Sequence, residues 1–353
     1  MPTNIKELFQ IATERKASDL HLVTGVPPTL RIDGELIALD DRKPLADKDI
    51  EQAAFSIISA EEKDMFVATK ELDFGFEADD ATRFRVNLYY EKGNIGLVAR
   101  IISNAIPNLA DLDMPKVVYD LVNLKQGLIL MTGPTGCGKS TTLAAMINHI
   151  NTTRTCNIIT LEDPIEYLFK PEKSIIVQRQ LGSDMLSFAN GLKHALRQDP
   201  NVIMVGEMRD LETIATTITL AETGHLVLAT LHTYSAAQTI DRIIDIFPPH
   251  QQNQIRMQLS VTLAGVISQR LLPKEGGGRI AAREVMINIP AVANLIRENK
   301  IAQLRTVIET NSKEGMISMD QDLKRLYGSK VISKDVAQGH MENPELLEKF
   351  KLI

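Results

Sequence analysis

Two periods of hydrophobic and polar positions divide this chain. In the first hundred or so residues apolar positions mostly alternate with polar ones: in "RFRVN", Arg83, Arg85 and Asn87 fall on one face and Phe84, Val86 and Leu88 on the other. "DLHLVTG", "PTLRIDGELIAL", "LDFGFEA", "TRFRVNLYYE" and "IGLVARII" read as strands, the second as a hairpin turning at Asp33-Gly34. Ile5, Leu8, Phe9 and Ala12 mark one face of an opening helix, and a second helix is expected over 47–67 with Asp47 as its cap. Residues 1–102 therefore read as a small α+β domain, and the Pro-containing polar stretch at 103–115 as a linker. Over 116–289 short continuous apolar runs alternate with helical segments, the pattern of a parallel α/β sheet. "GLILMTG", "NIITLED", "VIMVGE" and "LVLATL" are the strands, and 139–150, 184–197, 210–222 and 235–245 the helices. From 290 to 353 the pattern is purely helical, with Pro290 and Asn343-Pro344 as helix starts.

Composition narrows the classes of function. A chain of 353 residues, 44% hydrophobic and 24% charged, is an ordinary globular chain of about two domains. A net charge of −6 without clustered Lys/Arg argues against a nucleic-acid surface. Cys137 and Cys156 are too few for a disulfide framework or a four-thiolate zinc site, so a reducing cytoplasm is expected. No stretch has signal-peptide character or approaches the eighteen or so apolar residues of a membrane span, so any membrane association is expected to run through a partner.

The chemistry begins with "GPTGCGKS". Residues 133–140 satisfy G-x-x-x-x-G-K-[ST] between a predicted strand and a predicted helix, the context of a phosphate-binding loop. Gly133, Pro134, Thr135, Gly136, Cys137 and Gly138 would wrap phosphates with backbone N–H groups, Lys139 would reach the β- and γ-phosphates, and Ser140 would ligate Mg²⁺, with Thr141 following in the helix. Cys137 reads as filler, not as a redox centre. A nucleotide-hydrolysing site also needs carboxylates at neighbouring strand ends, where ligands of open α/β sheets bind. "NVIMVGE" supplies Glu207, with Gly206 where Asp is usual; "NIITLEDPIEY" supplies Glu162 and Asp163. One carboxylate would orient or deprotonate water and another help to hold Mg²⁺, although Asp163-Pro164 alone also reads as a strand-ending turn.

Two of the seven histidines bracket one apolar run, "HLVLATLH". His232 follows the strand and so falls on the carboxyl edge beside the loop, as a sensor of the γ-phosphate. His225, seven residues earlier, lies roughly 20 Å away along an extended strand. It reads as a structural or intersubunit group.

Taken in order, "GPTGCGKST", "LEDPIEY", "VGEMRDLETI" and "AETGHLVLATLHTYSAAQTIDRIIDIFP" resemble the Walker A, Asp box, Walker B and His box of the secretion ATPases, a superfamily of P-loop NTPases. Their wording is most similar to the PilT-like type IV pilus retraction ATPases, and the resemblance extends to "SDLHL", "GVPP", "RFRVN" and "AVANLIRE". In the last of these Val292-Ala293 stand where the family has Ile-Arg, and Cys137 stands where Ser is commoner. The first difference leaves principal and accessory (PilU-like) retraction motors both open.

The resemblance implies a PAS-like N-terminal domain, a RecA-like ATPase domain and a homohexameric ring using ATP and Mg²⁺. It implies that Glu162 and Glu207 are the catalytic pair and that Arg83, Arg85 and Arg100 approach the nucleotide. It also implies a motor that drives pilin depolymerisation and twitching motility. The expected partners are further copies of the chain, an inner-membrane pilus platform protein and a paralogous retraction ATPase, which would place it at the cytoplasmic side of the inner membrane without inserting. Pilus-extension and type II secretion ATPases are the nearest alternatives, though they typically carry a tetracysteine metal site that two cysteines exclude. A nucleic-acid translocase on the same core is disfavoured by the acidic balance, and no nucleic-acid partner is expected.

Overall fold

The computed structural model of the chain describes residues 4–32, 34–78, 82–102 and 105–348. These fall into two compact units, one of residues up to Ala105 together with Pro164–Leu168, the other of Ile106–Asp163 together with the residues from Phe169 onward.

In the first unit a helix α1 (Ile5–Glu14), capped by the Asn4 side chain, precedes strands β1 (Asp19–Leu22), β2 (Thr29–Ile32) and β3 (Glu35–Ala38). Ile32 pairs with Glu35 as a hairpin requires; Asp33, expected in its turn, lies outside the described residues. Helices α2 (Asp47–Phe55) and α3 (Ala60–Thr69) follow where one helix over 47–67 was expected. The break has a local cause. Ser59 accepts the Glu62 N–H and the Glu62 carboxylate accepts the Ser59 N–H, a reciprocal capping box that starts a new helix. Asp47 is also not the cap of the first: Ala46 occupies that position, with its N–H held by Asp49.

Strands β4 (Glu71–Glu77), β5 (Arg83–Glu91) and β6 (Asn94–Ile102) complete an antiparallel sheet of order β3-β2-β1-β6-β5-β4. One face carries Leu20, Leu30, Phe74, Phe84, Val86 and Ala99 into a core with the helices. The other face carries polar neighbours, among them Asp19, Arg85 and Arg100 on adjacent strands.

In the second unit α4 (Lys116–Val122) leads into β7 (Gly127–Thr132), α5 (Lys139–Thr153), β8 (Asn157–Glu162), β9 (Ile175–Gln180), α6 (Phe188–Ala195), β10 (Val202–Val205), α7 (Leu211–Glu222), β11 (Leu226–Leu231), α8 (Ala236–Asp245) and α9 (Pro249–Thr262). Then come β12 (Leu263–Pro273), β13 (Arg279–Ile287) and helices α10 (Pro290–Arg297), α11 (Leu304–Thr310), α12 (Met319–Gly328), α13 (Lys334–His340) and α14 (Glu345–Glu348). The sheet order is β13-β12-β7-β11-β10-β8-β9, parallel throughout except for the β12–β13 pair. Every residue of β7, β10 and β11 is buried, which is why these strands read as unbroken apolar runs.

Two sequence expectations change here. The helix expected over 184–197 begins only at Phe188, because the Ser187 side chain caps it by accepting the Asn190 N–H. The C-terminal segment is not purely helical either: Ile317 bridges to Val285 of β13 in an antiparallel backbone pair, which ties the segment to the sheet edge. Among the described residues no helix is long and apolar enough to cross a membrane.

Candidate active site

Strand order places four chemically equipped ends on one edge. β7, β11, β10 and β8 are consecutive and parallel, so the loop after β7, His232 after β11, Glu207 after β10 and Glu162 closing β8 all leave the sheet at its carboxyl edge.

The loop at 133–140 depends on its glycines. Gly133, Gly136 and Gly138 all have positive φ, with Gly138 at +87° forming the left-handed N-cap of α5. A Cβ on Gly133 would lie 2.2 Å from the Gln269 carbonyl oxygen of β12, so that position admits only glycine. Lys139 is buried, and its Nζ donates to the carbonyls of Gly133 (2.7 Å) and Pro134 (3.1 Å), so the lysine folds back over its own loop. Ser140 and Thr141 continue into the first turn of α5. Cys137 is buried in the loop wall, and burial pushes its thiol pKa up, against the Lys139 charge that lowers it. An ionised nucleophile is disfavoured there. A cavity of about 470 Å³ opens against Pro134–Cys137 and is also lined by Tyr234, Arg270, Leu271 and His340.

His232 joins the loop to the carboxylate edge. Its Nε2 lies 3.3 Å from Glu207 Oε1, and its Nδ1 lies 3.5 Å from the Thr135 hydroxyl. Glu207 is also gripped by Arg209, whose Nη2 stands 2.8 Å from Oε2 and whose Nη1 stands 3.9 Å from Asp163 Oδ2. Burial alone would push Glu207 up; the Arg209 guanidinium and His232 outweigh it and hold the carboxyl below the usual range.

Glu162 has a different setting. It is 6% exposed, and its Oε1 accepts from the Thr160 hydroxyl (2.6 Å) and from Gln178 Nε2 (3.0 Å). Gly206, where Asp is usual, donates its N–H to the Leu161 carbonyl at 2.7 Å, and a Cβ on it would lie 3.1 Å from that oxygen and 3.3 Å from Glu162 Cα. The two strands approach so closely that a side chain at 206 would press on the strand that ends in Glu162. His225 sits at the opposite end of β11. Its Nδ1 is 3.0 Å from the Leu220 carbonyl at the end of α7, and its own carbonyl accepts the Gly127 N–H, a structural pairing.

The arginines at 83, 85 and 100 lie in the first unit. Arg85 and Arg100 are direct cross-strand partners, each held by a carboxylate: Arg85 Nη2 to Asp73 at 2.6 Å, Arg100 Nε to the buried Asp19 at 2.8 Å. Arg83 stands across from Glu77. Three contributors were not singled out from the sequence. Arg209 was within reach, two residues after Glu207 in the Walker B-like stretch. Gln178 and Gln269 carried no local signal, because strand pairing alone brings them to the site.

A phosphate loop on a central parallel strand, with glutamates and a histidine on the adjoining strand ends, defines a P-loop ATPase. The chain belongs to the family of type II/IV secretion system proteins, whose model matches residues 2–277. It is 44% identical over 342 residues to the type IV pilus retraction ATPase PilT of Pseudomonas aeruginosa, across 97% of this chain and 99% of that protein. It is 37% identical over 339 residues to the type IV pilus ATPase PilU of the same organism, across 96% and 88%. Its structure superimposes on the pilus retraction motor PilT with bound ADP at a TM-score of 0.92 and 46% identity, covering 99% of this chain and 100% of that one.

The grip of Arg209 on Glu207 gives a signed prediction. With Arg209 present the folded-state pKa is depressed, so the carboxylate persists to lower pH than an ordinary glutamate. Arg209→Met leaves burial as the largest remaining influence, and the Glu207 titration is expected to move to higher pH when followed by NMR of ¹³C-labelled glutamate. An unmoved titration would show that the 2.8 Å contact does not set the charge of Glu207.

Proposed function

We propose that this chain is the ATP-hydrolysing motor of type IV pilus retraction, working as a homohexamer on the inner-membrane pilus platform and driving pilin depolymerisation. The observation that supports this best is the likeness to a retraction ATPase over 97% of the chain. The likeness to PilU leaves a paralogous retraction ATPase as a further partner. The chain's place would be cytoplasmic, peripheral at the inner membrane.

Each side chain has a task in this reading. The phosphates replace the Gly133 and Pro134 carbonyls as acceptors for Lys139, and the glycine-rich loop and α5 N-terminus neutralise them. Glu207 takes the proton of the attacking water; its depressed pKa keeps it ionised. His232, spanning Thr135 and Glu207, reports the γ-phosphate to that base. Glu162, fixed by Thr160 and Gln178, forms the second member of the pair.

The Ser140 hydroxyl with Glu162, Asp163 and Glu207 forms an oxygen donor set of the hard kind that suits Mg²⁺. These side chains would hold the ion, although among the described residues no three His, Cys, Asp or Glu side chains gather into a site of their own. Such an ion supplies charge neutralisation at the β- and γ-phosphates. Arg83, Arg85 and Arg100 act as charge-stabilising fingers toward the nucleotide; two of them form an adjacent cationic pair on the sheet face away from the core.

Glu207→Gln is expected to retain ATP binding and lose hydrolysis by ~10²–10⁴, whereas Lys139→Ala weakens binding itself; both are read by equilibrium binding and phosphate release. Wild-type turnover in Glu207→Gln would transfer the base to Glu162. In the same assay an arginine finger is worth ~10³–10⁵ in favourable cases, so unchanged turnover after Ala substitution at 83, 85 and 100 would return all three to a solvated strand face.

The direction of the motor is decided in the host. Deletion of the gene is expected to leave surface pili in place and abolish twitching; loss of the pili themselves would mean extension.

A further inference from the structure

Among the described residues Arg283 is the largest fully buried side chain, only 2% exposed on β13, and the mechanism above gives it no task. Its register partner on β12 is Gln269, also buried. Arg283 Nε donates to Gln269 Oε1 at 3.0 Å. Gln269 in turn grips the phosphate loop and the first turn of α5: its Nε2 donates to the Cys137 carbonyl at 2.7 Å, and its Oε1 accepts from the Thr142 hydroxyl at 3.1 Å. The rest of the guanidinium points elsewhere. Nη2 donates to the Leu112 carbonyl at 2.8 Å and Nη1 to the Asp113 carbonyl at 3.3 Å.

That second set of acceptors belongs to the segment by which the chain enters the ATPase unit, three residues before α4. The segment is held in a demanding shape: Asp113 has φ +51°, in the left-handed region that side chains seldom adopt. Its carboxylate is engaged as well, 2.9 Å from Arg325 Nη1, and Arg325 Nε reaches the buried Asp322 at 2.7 Å. Asp322 closes the circuit by accepting the Arg283 backbone N–H at 2.8 Å. Two arginines and two aspartates thus balance charge around a planar fork whose arms reach Gln269 on one side and residues 112–113 on the other. A guanidinium suits this place because its donors are rigidly spaced; an ammonium would satisfy one side at a time.

We propose that Arg283, acting through Gln269, is a positioning residue that sets the ATP affinity of the phosphate loop according to the position of residues 112–113. The proposal rests on the reading of residues 133–140 as an ATP site. A displacement of the entering segment moves the fork, the fork moves Gln269, and Gln269 moves the Cys137 carbonyl and the start of α5. The arginine touches no phosphate, so its effect falls on binding and not on the chemical step.

The test is a double-mutant cycle on the full-length chain, with Kd for a fluorescent ATP analogue and steady-state KM and kcat as readouts, and with circular dichroism and ring assembly as folding controls. Arg283→Met is expected to raise Kd and KM about tenfold, the scale of losing a charged buried hydrogen bond, with kcat at saturation nearly unchanged. Arg283→Lys should restore only part of the affinity. Asp113→Gly, which relaxes the left-handed backbone and removes the Arg325 contact, should raise Kd in the parent chain and add nothing in Arg283→Met. Gln269→Glu keeps the acceptor for Arg283 but sets an oxygen against the Cys137 carbonyl, and should raise Kd similarly; it and Asp113→Gly carry the test if Arg283→Met does not fold. Unchanged Kd in folded Arg283→Met, or full additivity with Asp113→Gly, overturns the proposal. Absence of analogue binding by the parent chain would overturn the ATP-site reading instead.

Discussion

The close approach of β12 to the start of the phosphate loop is the constraint on which the remainder of the ATPase unit depends. At Gly133 the Gln269 carbonyl occupies the space a Cβ would need. The loop therefore cannot relax toward β12, and it turns through two further left-handed glycines into α5. That contact requires β12 to run parallel to β7 in register, which it does from Gly265 to Ser268, after an irregularity between Leu263 and Gly265, and the Thr132–Ser268 hydroxyl pair at 2.8 Å fixes the last rung before the loop departs. Sheet pairing, not loop sequence alone, gives the glycines their shape.

The same edge separates two glutamates by environment. Glu162 is enclosed and held by neutral donors, a hydroxyl and an amide; Glu207 is more open and held by a guanidinium and an imidazole. Two acids that look equivalent as strand-end residues thus sit in different surroundings.

What the sequence displays of this arrangement follows from range. The phosphate loop is legible because its strand, glycines, lysine and helix lie in one unbroken stretch, Gly127–Thr153. The buried strands are legible because their apolar runs are continuous, and Glu162, Glu207 and His232 because each ends such a run. Gln269 is not, since it meets Cys137 across 132 residues of chain and sits in an ordinary-looking "SQRLL" stretch. Arg283 lies further still from the carbonyls it binds at 112 and 113. Helix boundaries fail for the opposite reason. Apolar periodicity over 47–67 does not register a break made by Ser59 and Glu62, two polar side chains answering two backbone N–H groups. Arg100 came only from family likeness; its pairing with the buried Asp19 explains the charged residue inside "SDLHL".

Gly206 carries a consequence for how such a site can vary over evolutionary time. Its backbone lies so near Leu161 and Glu162 that an aspartate there would displace the strand bearing the other glutamate by a few tenths of an ångström. An acid at 206 would therefore have to be matched by a small shift of β8, so a change at one of these positions bears on the other.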